Sequence, residues 1–255
     1  MKRLPALLWM AVFAGLLTYA AFTAWLALSG LAYPYQLDYG EGPMLDQARL
    51  IWQGQGIYKG LEGYPYAFSN YPPLLQTLAA LLIPLLGVSY STGRVWNVVS
   101  VVALVALIYH VVRVRGGDRR AAALGALAFV GSPYIYHWAP LFRVDLPGLL
   151  LSALGIAVVA GSGKTVRPAW APSVAGLPLV AGLPLVAGLL FVASLYTKHS
   201  FLAAPAAAFL YLFVRDRRAA VTLAGTCLVV GGGLFLAMDR ATGGAFAFDL
   251  ITTNV

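Results

Sequence analysis

Long apolar runs separated by short charged clusters set the pattern of this chain. The first run, Leu7–Leu31, is followed by Pro73–Gly87, by Ser91–Val112, and then by apolar segments that continue to about residue 238. A helix needs about 20 apolar residues to cross a hydrocarbon core about 30 Å thick. Leu7–Leu31 meets that length and exceeds the apolar core of a signal peptide, about 7–15 residues. No small-residue cleavage site follows it, so it reads as a retained transmembrane helix. Pro73–Gly87 is too short to span and contains Pro73 and Pro84, which predicts a juxtamembrane or re-entrant helix.

The charged clusters then set the orientation. Lys2-Arg3, Arg113 to Arg120, Lys164 with Arg167, and Arg215 to Arg218 all fall between apolar runs. Under the positive-inside rule each faces the cytoplasm. Residues 32–90 become one large extracytoplasmic loop. A helix at about 121–137 runs outward, His137 to Arg143 turns at the outer face, and about 144–160 returns. Ser173 to Arg215 holds two spans that meet outside at Tyr196-Thr197-Lys198-His199, and about 219–238 is the last span, leaving Asp239 to Val255 outside. The expected fold is an all-α polytopic membrane protein, a single module over 1–255. It has about seven transmembrane helices, an inside amino terminus and two juxtamembrane helices in the first outer loop.

Composition agrees with this pattern. Of 255 residues 60% are hydrophobic and 10% charged, and the mean hydropathy is +0.80, which excludes a water-soluble domain around one core. The net charge of +8 follows from the loop clusters and not from one basic face, so nucleic acid is not an expected partner. The single cysteine, Cys227, lies in an apolar segment and reads as a packing residue. Ala-Gly-Leu-Pro-Leu-Val occurs at 175–180 and again at 181–186, a local duplication in a helix expected to kink at Pro178 and Pro184. The end at Asn254-Val255, with no closing basic tail, reads as truncation of a longer protein.

Against so apolar a background the acids stand out. Asp38-Tyr39-Gly40-Glu41-Gly42 follows the first span and holds two of only nine acidic residues. Met44, Leu45, Ala48, Ile51 and Trp52 then recur at helical spacing, which predicts an amphipathic helix over Pro43–Gln53 lying on the membrane surface. Asp46 reads as solvated, Glu41 alternatively as a helix cap, and Tyr58, Tyr64, Tyr66 and Tyr71 as an interfacial aromatic belt. An acid pair beside the bilayer is costly for mere solvation, so Asp38 and Glu41 are candidate functional groups. Arg143 and Asp145 read either as an ion pair that orients a helix or as an anion contact. His137 is a possible proton carrier, and Lys198 either snorkels to headgroups or joins the same outer site. Together these residues suggest a carboxylate base beside cationic phosphate clamps.

Other motifs are missing. Gly161-Ser162-Gly163-Lys164-Thr165 lacks the first phosphate-loop glycine, since position 158 is Val. The chain shows no His/Cys metal cluster, no nucleophile elbow and no dinucleotide fingerprint.

Five features together resemble the GT-C superfamily of membrane glycosyltransferases, which includes protein mannosyltransferases and the aminoarabinose transferase of lipid A. They are Asp-x-Gly-Glu-Gly after the first helix, Tyr71-Pro72-Pro73-Leu74, Arg94 at the head of a helix, Arg143-Val144-Asp145-Leu146, and Thr197-Lys198-His199-Ser200. The match spans about residues 1–215. The resemblance implies a seven-helix module with two juxtamembrane helices, a polyprenyl-phosphate sugar donor, and a lipid, glycan or protein acceptor. It implies that Asp38 or Glu41 is the catalytic base; relatives often have the two acids adjacent, and here both remain candidates. It further implies donor-phosphate binding by Arg143, Lys198 and Arg94, with Asp145, Tyr71 and His199 in support, although relatives read Thr-Lys-Gln-Ser where this chain has His199. No cofactor is fixed, and a divalent metal is compatible with the family. The site would face outward from a bacterial plasma membrane.

The expected chemistry is inverting transfer, because one base and direct displacement need no covalent intermediate. The alternatives are a transporter or lipid flippase without bond chemistry, and a non-catalytic scaffold subunit.

Overall fold

Residues 3–59, 69–161 and 179–252 are described by a computed structural model. Tyr64, Tyr66, the Lys164/Arg167 cluster, Pro178 and the first copy of the six-residue duplication up to that proline lie outside the described residues, as do Lys2 and the final three positions. The described residues are helical, without strands.

The helices follow the apolar pattern closely in kind. They are α1 (Arg3–Ala32), α2 (Glu41–Trp52), α3 (Leu74–Ala80), α4 (Ile83–Leu86), α5 (Ser91–Val114), α6 (Arg119–Val130) and α7 (Pro133–Trp138). After them come α8 (Asp145–Gly161), α9 (Leu179–Thr197), α10 (Ala203–Arg215), α11 (Arg217–Thr226), α12 (Gly233–Ala241) and α13 (Ala245–Ile251). A π-helical turn at Cys227–Gly232 joins α11 to α12 in one continuous rod.

Among the described residues, three helices are long and apolar enough to cross a bilayer: Leu7–Ala32, Ser91–Val114 and Arg217–Ala241. The hydropathy led us to expect about seven transmembrane helices, and the described residues display three of full bilayer length. α8 has 17 residues and α10 has 13, about 26 Å and about 20 Å of rise, short of a core about 30 Å thick. The helix expected at about 121–137 is divided at Gly131-Ser132. Pro133 supplies no N–H and disfavours a helical residue before it, and Ser132 is extended at ψ 135. Pro73–Gly87 is likewise two short helices, ended by Gly87 at φ 68.

The amphipathic pattern after Asp38 does produce a helix, α2, but its apolar face turns inward. Met44 and Ala48 are buried with Leu75, Ala79, Ile83, Phe142 and Val144, and Trp52 is left exposed. Gln76 donates to Gln47 at 3.1 Å and ties α3 to α2. α8 packs on α9 through a polar link, with Ser194 donating to the Gly148 carbonyl at 2.8 Å and paired with Ser152 at 2.8 Å. Apolar side chains of α1 such as Leu8, Trp9, Met10 and Leu17 face outward, as do Leu228, Val229 and Leu236 of the final rod. That is the surface a lipid solvent requires and water does not favour.

The helix ends sort by chemistry. Arg115 donates to the Ala160 carbonyl at 3.0 Å, so the ends of α5 and α8 meet at one pole. Asp118 and Asp216 cap α6 and α11 there, accepting from Ala121 at 2.7 Å and from Arg218 and Ala219 at 3.1 Å. The starts of α2, α5 and α8 and the end of α9 gather at the other pole, where Asp38, Glu41 and Asp145 pair with Arg94, Arg143 and Lys198.

Candidate functional site

The site is built around a guanidinium that has no donor to spare. Arg94, near the start of α5, is fully buried and uses all five N–H groups. Its Nη1 donates to the Gly30 and Tyr33 carbonyls at 2.7 Å each, fixing the end of α1. Its Nη2 donates to the Tyr35 carbonyl at 2.8 Å and to Glu41 Oε2 at 2.7 Å, and its Nε donates to Glu41 Oε1 at 2.8 Å. This is the bidentate fork geometry that makes arginine–carboxylate pairs strong.

Glu41, also fully buried, is equally occupied. Beyond Arg94, Oε2 accepts the Leu37 amide at 2.5 Å and Oε1 accepts the Phe142 amide at 2.7 Å. Burial by itself would raise this carboxyl's pKa. The Arg94 hydrogen bonds, the two amides and the Arg94 charge outweigh it and hold the group below its ordinary value. Glu41 does not cap α2; it reaches back and across.

Those two amides matter because of their neighbours along the chain. Leu37 precedes Asp38, and Phe142 precedes Arg143. One carboxylate therefore fixes both backbones that carry the next ion pair, in which Arg143 Nη1 donates to Asp38 Oδ2 at 3.1 Å. The pair is partly open, with side-chain exposures of 10% for Arg143 and 22% for Asp38. Asp38 Oδ2 also accepts the Gly40 amide at 3.1 Å.

Arg143 continues the array. Its Nε stands 4.0 Å from Asp145 Oδ2, and Asp145 Oδ1 accepts from Lys198 Nζ at 2.7 Å. Lys198 stands at the end of α9 and Asp145 at the start of α8, so the contact closes that end of the helix pair. The guanidinium also lies 5.2 Å from the Trp138 ring, 5.8 Å from Tyr39 and 6.0 Å from Tyr71, whose hydroxyl is 3.5 Å from Nη2. Such flanking by π faces favours a cation.

Small residues make this packing possible. A Cβ on Gly40 would come within 1.8 Å of Arg143 Nη1. Gly40 has φ −80 and ψ −15, which any residue adopts, so the requirement for glycine is space alone. A Cβ on Gly93 would lie 2.0 Å from the Phe142 ring.

Asp38, Arg143, Asp145 and Lys198 are thus brought into one continuous array, with Tyr71 against it and Glu41 and Arg94 in a buried layer behind. His199 adjoins Lys198, and burial first, then the Lys198 charge, push its imidazole pKa below the usual value. His137 is exposed and stacks edge-on with Trp138 at 5.2 Å between ring centres. Asp46 pairs with Arg49 on the exposed face of α2 at 2.7 Å. Among the described residues no three His, Cys, Asp or Glu side chains converge as a metal set. Both Asp38 and Asp145 turn toward Arg143, so a divalent cation between them does not fit unless the guanidinium moves away.

Sequence reasoning missed several members of this region. Asn97, one turn beyond Arg94, is fully buried and donates to the Leu141 and Trp138 carbonyls, which sets the turn before Arg143. Its signal was available as an amide one turn from Arg94 in a mostly apolar helix. Tyr134 also lies within electrostatic reach of Asp145 and Lys198. Trp138 and Tyr39 carried no distinctive spacing.

Between α1 and α5 lies a wholly apolar cleft of about 260 Å³, bordered by Ala27 and Leu28 on one side and Val98, Val101 and Val105 on the other. It begins about one turn beyond Arg94.

No family model matches this chain, and no curated protein or solved structure matches it.

Proposed function

We propose that this protein is an inverting membrane glycosyltransferase that moves a sugar from a polyprenyl-phosphate donor to a hydroxyl acceptor at the outer membrane face. In this reading about seven helices cross the bilayer, the shorter α8, α9 and α10 and the broken α6–α7 segment among them. The arginine-rich pole faces the cytoplasm of a bacterial plasma membrane.

The observation that carries the reading is the state of Asp38. It is the one member of the original acid pair with solvent access, its Oδ1 makes no hydrogen bond within the described residues, and it stands against Arg143. Asp38 takes the acceptor hydroxyl proton as the oxygen attacks the anomeric carbon, and the bond to the lipid phosphate breaks. Lys198 retains two N–H donors beyond Asp145, and with Arg143 it offsets charge on the departing phosphate. Asp145 and Tyr71 orient those two cations. Glu41 and Arg94, with no free donor or acceptor positions in this layer, act as positioning residues for Asp38 and Arg143. The apolar cleft between α1 and α5 has the lining an isoprenoid tail requires.

The decisive experiment is release of free polyprenyl phosphate when purified protein meets a polyprenyl-phosphate sugar and an acceptor. A transporter, flippase or scaffold would leave the donor intact.

A further inference from the structure

The last helix makes contacts that the proposed chemistry does not use. Asp249 on α13 is fully buried and accepts the amide of Ser69, also fully buried, at 3.2 Å across 180 positions of sequence. Phe246 of the same helix meets the Tyr58 ring edge-on at 4.8 Å, and Ile57, Tyr58, Phe246 and Leu250 form a buried cluster. α13 is itself held at its start: the Ala247 amide donates to Asp239 Oδ1 at 3.0 Å, and the Phe246 amide donates to Thr242 Oγ1 at 3.0 Å.

From this anchor the contacts run toward the site. Tyr58 donates its hydroxyl to the Tyr71 carbonyl at 2.9 Å, and Ser69 Oγ donates to that same carbonyl at 3.3 Å. Tyr71, fixed at its backbone by two donors from the region α13 grips, places its hydroxyl 3.5 Å from Arg143 Nη2. Each link is a hydrogen bond or buried ring contact, and together they join residue 249 to residue 143 without passing through the Glu41 layer.

We infer that α13 is a strap for the outer site, and that Asp249 is a positioning residue: through Ser69 and Tyr71 it sets where the Arg143 guanidinium stands. The inference rests on the glycosyl-transfer reading only for its consequence on donor binding. A buried acceptor that fixes a buried amide is costly to lose, because the amide is left unsatisfied. Asparagine keeps a side-chain oxygen at the same place and alanine does not.

The test compares wild type, Asp249→Ala, Asp249→Asn and Tyr71→Phe in the full chain. Hydrogen exchange is followed in peptides covering 69–74 and 138–144, and KM and kcat are measured with a polyprenyl-phosphate sugar. Asp249→Ala should speed exchange in both peptides and raise KM about tenfold with kcat within about twofold, while Asp249→Asn stays near wild type. Tyr71→Phe should raise KM and leave exchange at 69–74 unchanged. Unaltered exchange at 69–74 in Asp249→Ala would overturn the strap, as would equal impairment by alanine and asparagine or a fall in kcat alone. If wild type itself transfers no sugar, the glycosyl-transfer reading fails, and exchange in the two peptides still decides whether α13 sets the Arg143 segment.

Discussion

Arg94 and Glu41 meet through two hydrogen bonds of 2.8 and 2.7 Å with both side chains fully buried. Around them the ends of three segments converge: the close of α1, the approach to α2 and the turn before α8. Buried ion pairs do not reliably add stability relative to an apolar pair, but removing one partner strands a charge. The pair organises the candidate site, since each Glu41 oxygen also holds a backbone amide next to Asp38 or Arg143.

Glu41→Ala or Arg94→Ala should lower stability by about 3–5 kcal/mol, the usual consequence of orphaning one partner of a buried pair. Thermal denaturation in detergent measures this. An unchanged transition in either variant would contradict the buried brace.

Gly40→Ala tests space rather than backbone freedom. The added Cβ would stand 1.8 Å from Arg143 Nη1, so the guanidinium must leave Asp38. The expected outcome is loss of sugar transfer by about tenfold or more with the melting transition little changed. Retention of full activity would mean that the Asp38–Arg143 contact is dispensable.

Acid should destabilise the fold in two steps. His199 titrates below its ordinary 6.5 in the folded chain because of burial and the Lys198 charge. The unfolded imidazole therefore binds a proton first, and stability declines as pH falls below about 6.5. Glu41 titrates below its ordinary 4.5, the Arg94 and amide interactions exceeding the opposing effect of burial. Its contribution is present above about 4.5 and is lost as pH falls toward the lowered folded value. Melting temperature followed against pH should show both declines in wild type, and His199→Gln should remove the upper one. A melting temperature that rises on acidification from neutrality would refute the assignment.

Asp46→Ala should change stability by less than about 1 kcal/mol, since its contact with Arg49 is a solvent-exposed pair one turn apart on α2. Sugar transfer should be unaffected. A large loss of either would show that the outer face of α2 is engaged elsewhere.

Much of this arrangement is legible in the sequence, and the boundaries show where legibility stops. Period and length mark α1, α5 and α2 within a few residues, because long apolar runs and three-and-four spacing are strong signals. The breaks at Ser132 and at Leu81-Leu82 are hidden by the continuous apolar character around them, although each stands shortly before a proline. Rarity of charge in an apolar chain is enough to select Asp38, Glu41, Arg143, Asp145 and Lys198. What spacing cannot show is the pairing. Arg94 and Glu41 are 53 positions apart, and only the fold reveals that they occupy each other while Asp38 keeps an open oxygen. The Asp249–Ser69 contact, 180 positions apart, has no sequence signal at all.

In the proposed reaction Asp38, and not Glu41, removes the acceptor proton. Single-turnover transfer from a polyprenyl-phosphate sugar, measured for folded Asp38→Asn and Glu41→Gln, tests it most directly. Asp38→Asn should lower the rate of the chemical step by about 100- to 10,000-fold with its melting temperature preserved, while Glu41→Gln mainly lowers the melting temperature. Wild-type transfer rates in Asp38→Asn, with the loss confined to folded Glu41→Gln, would contradict it.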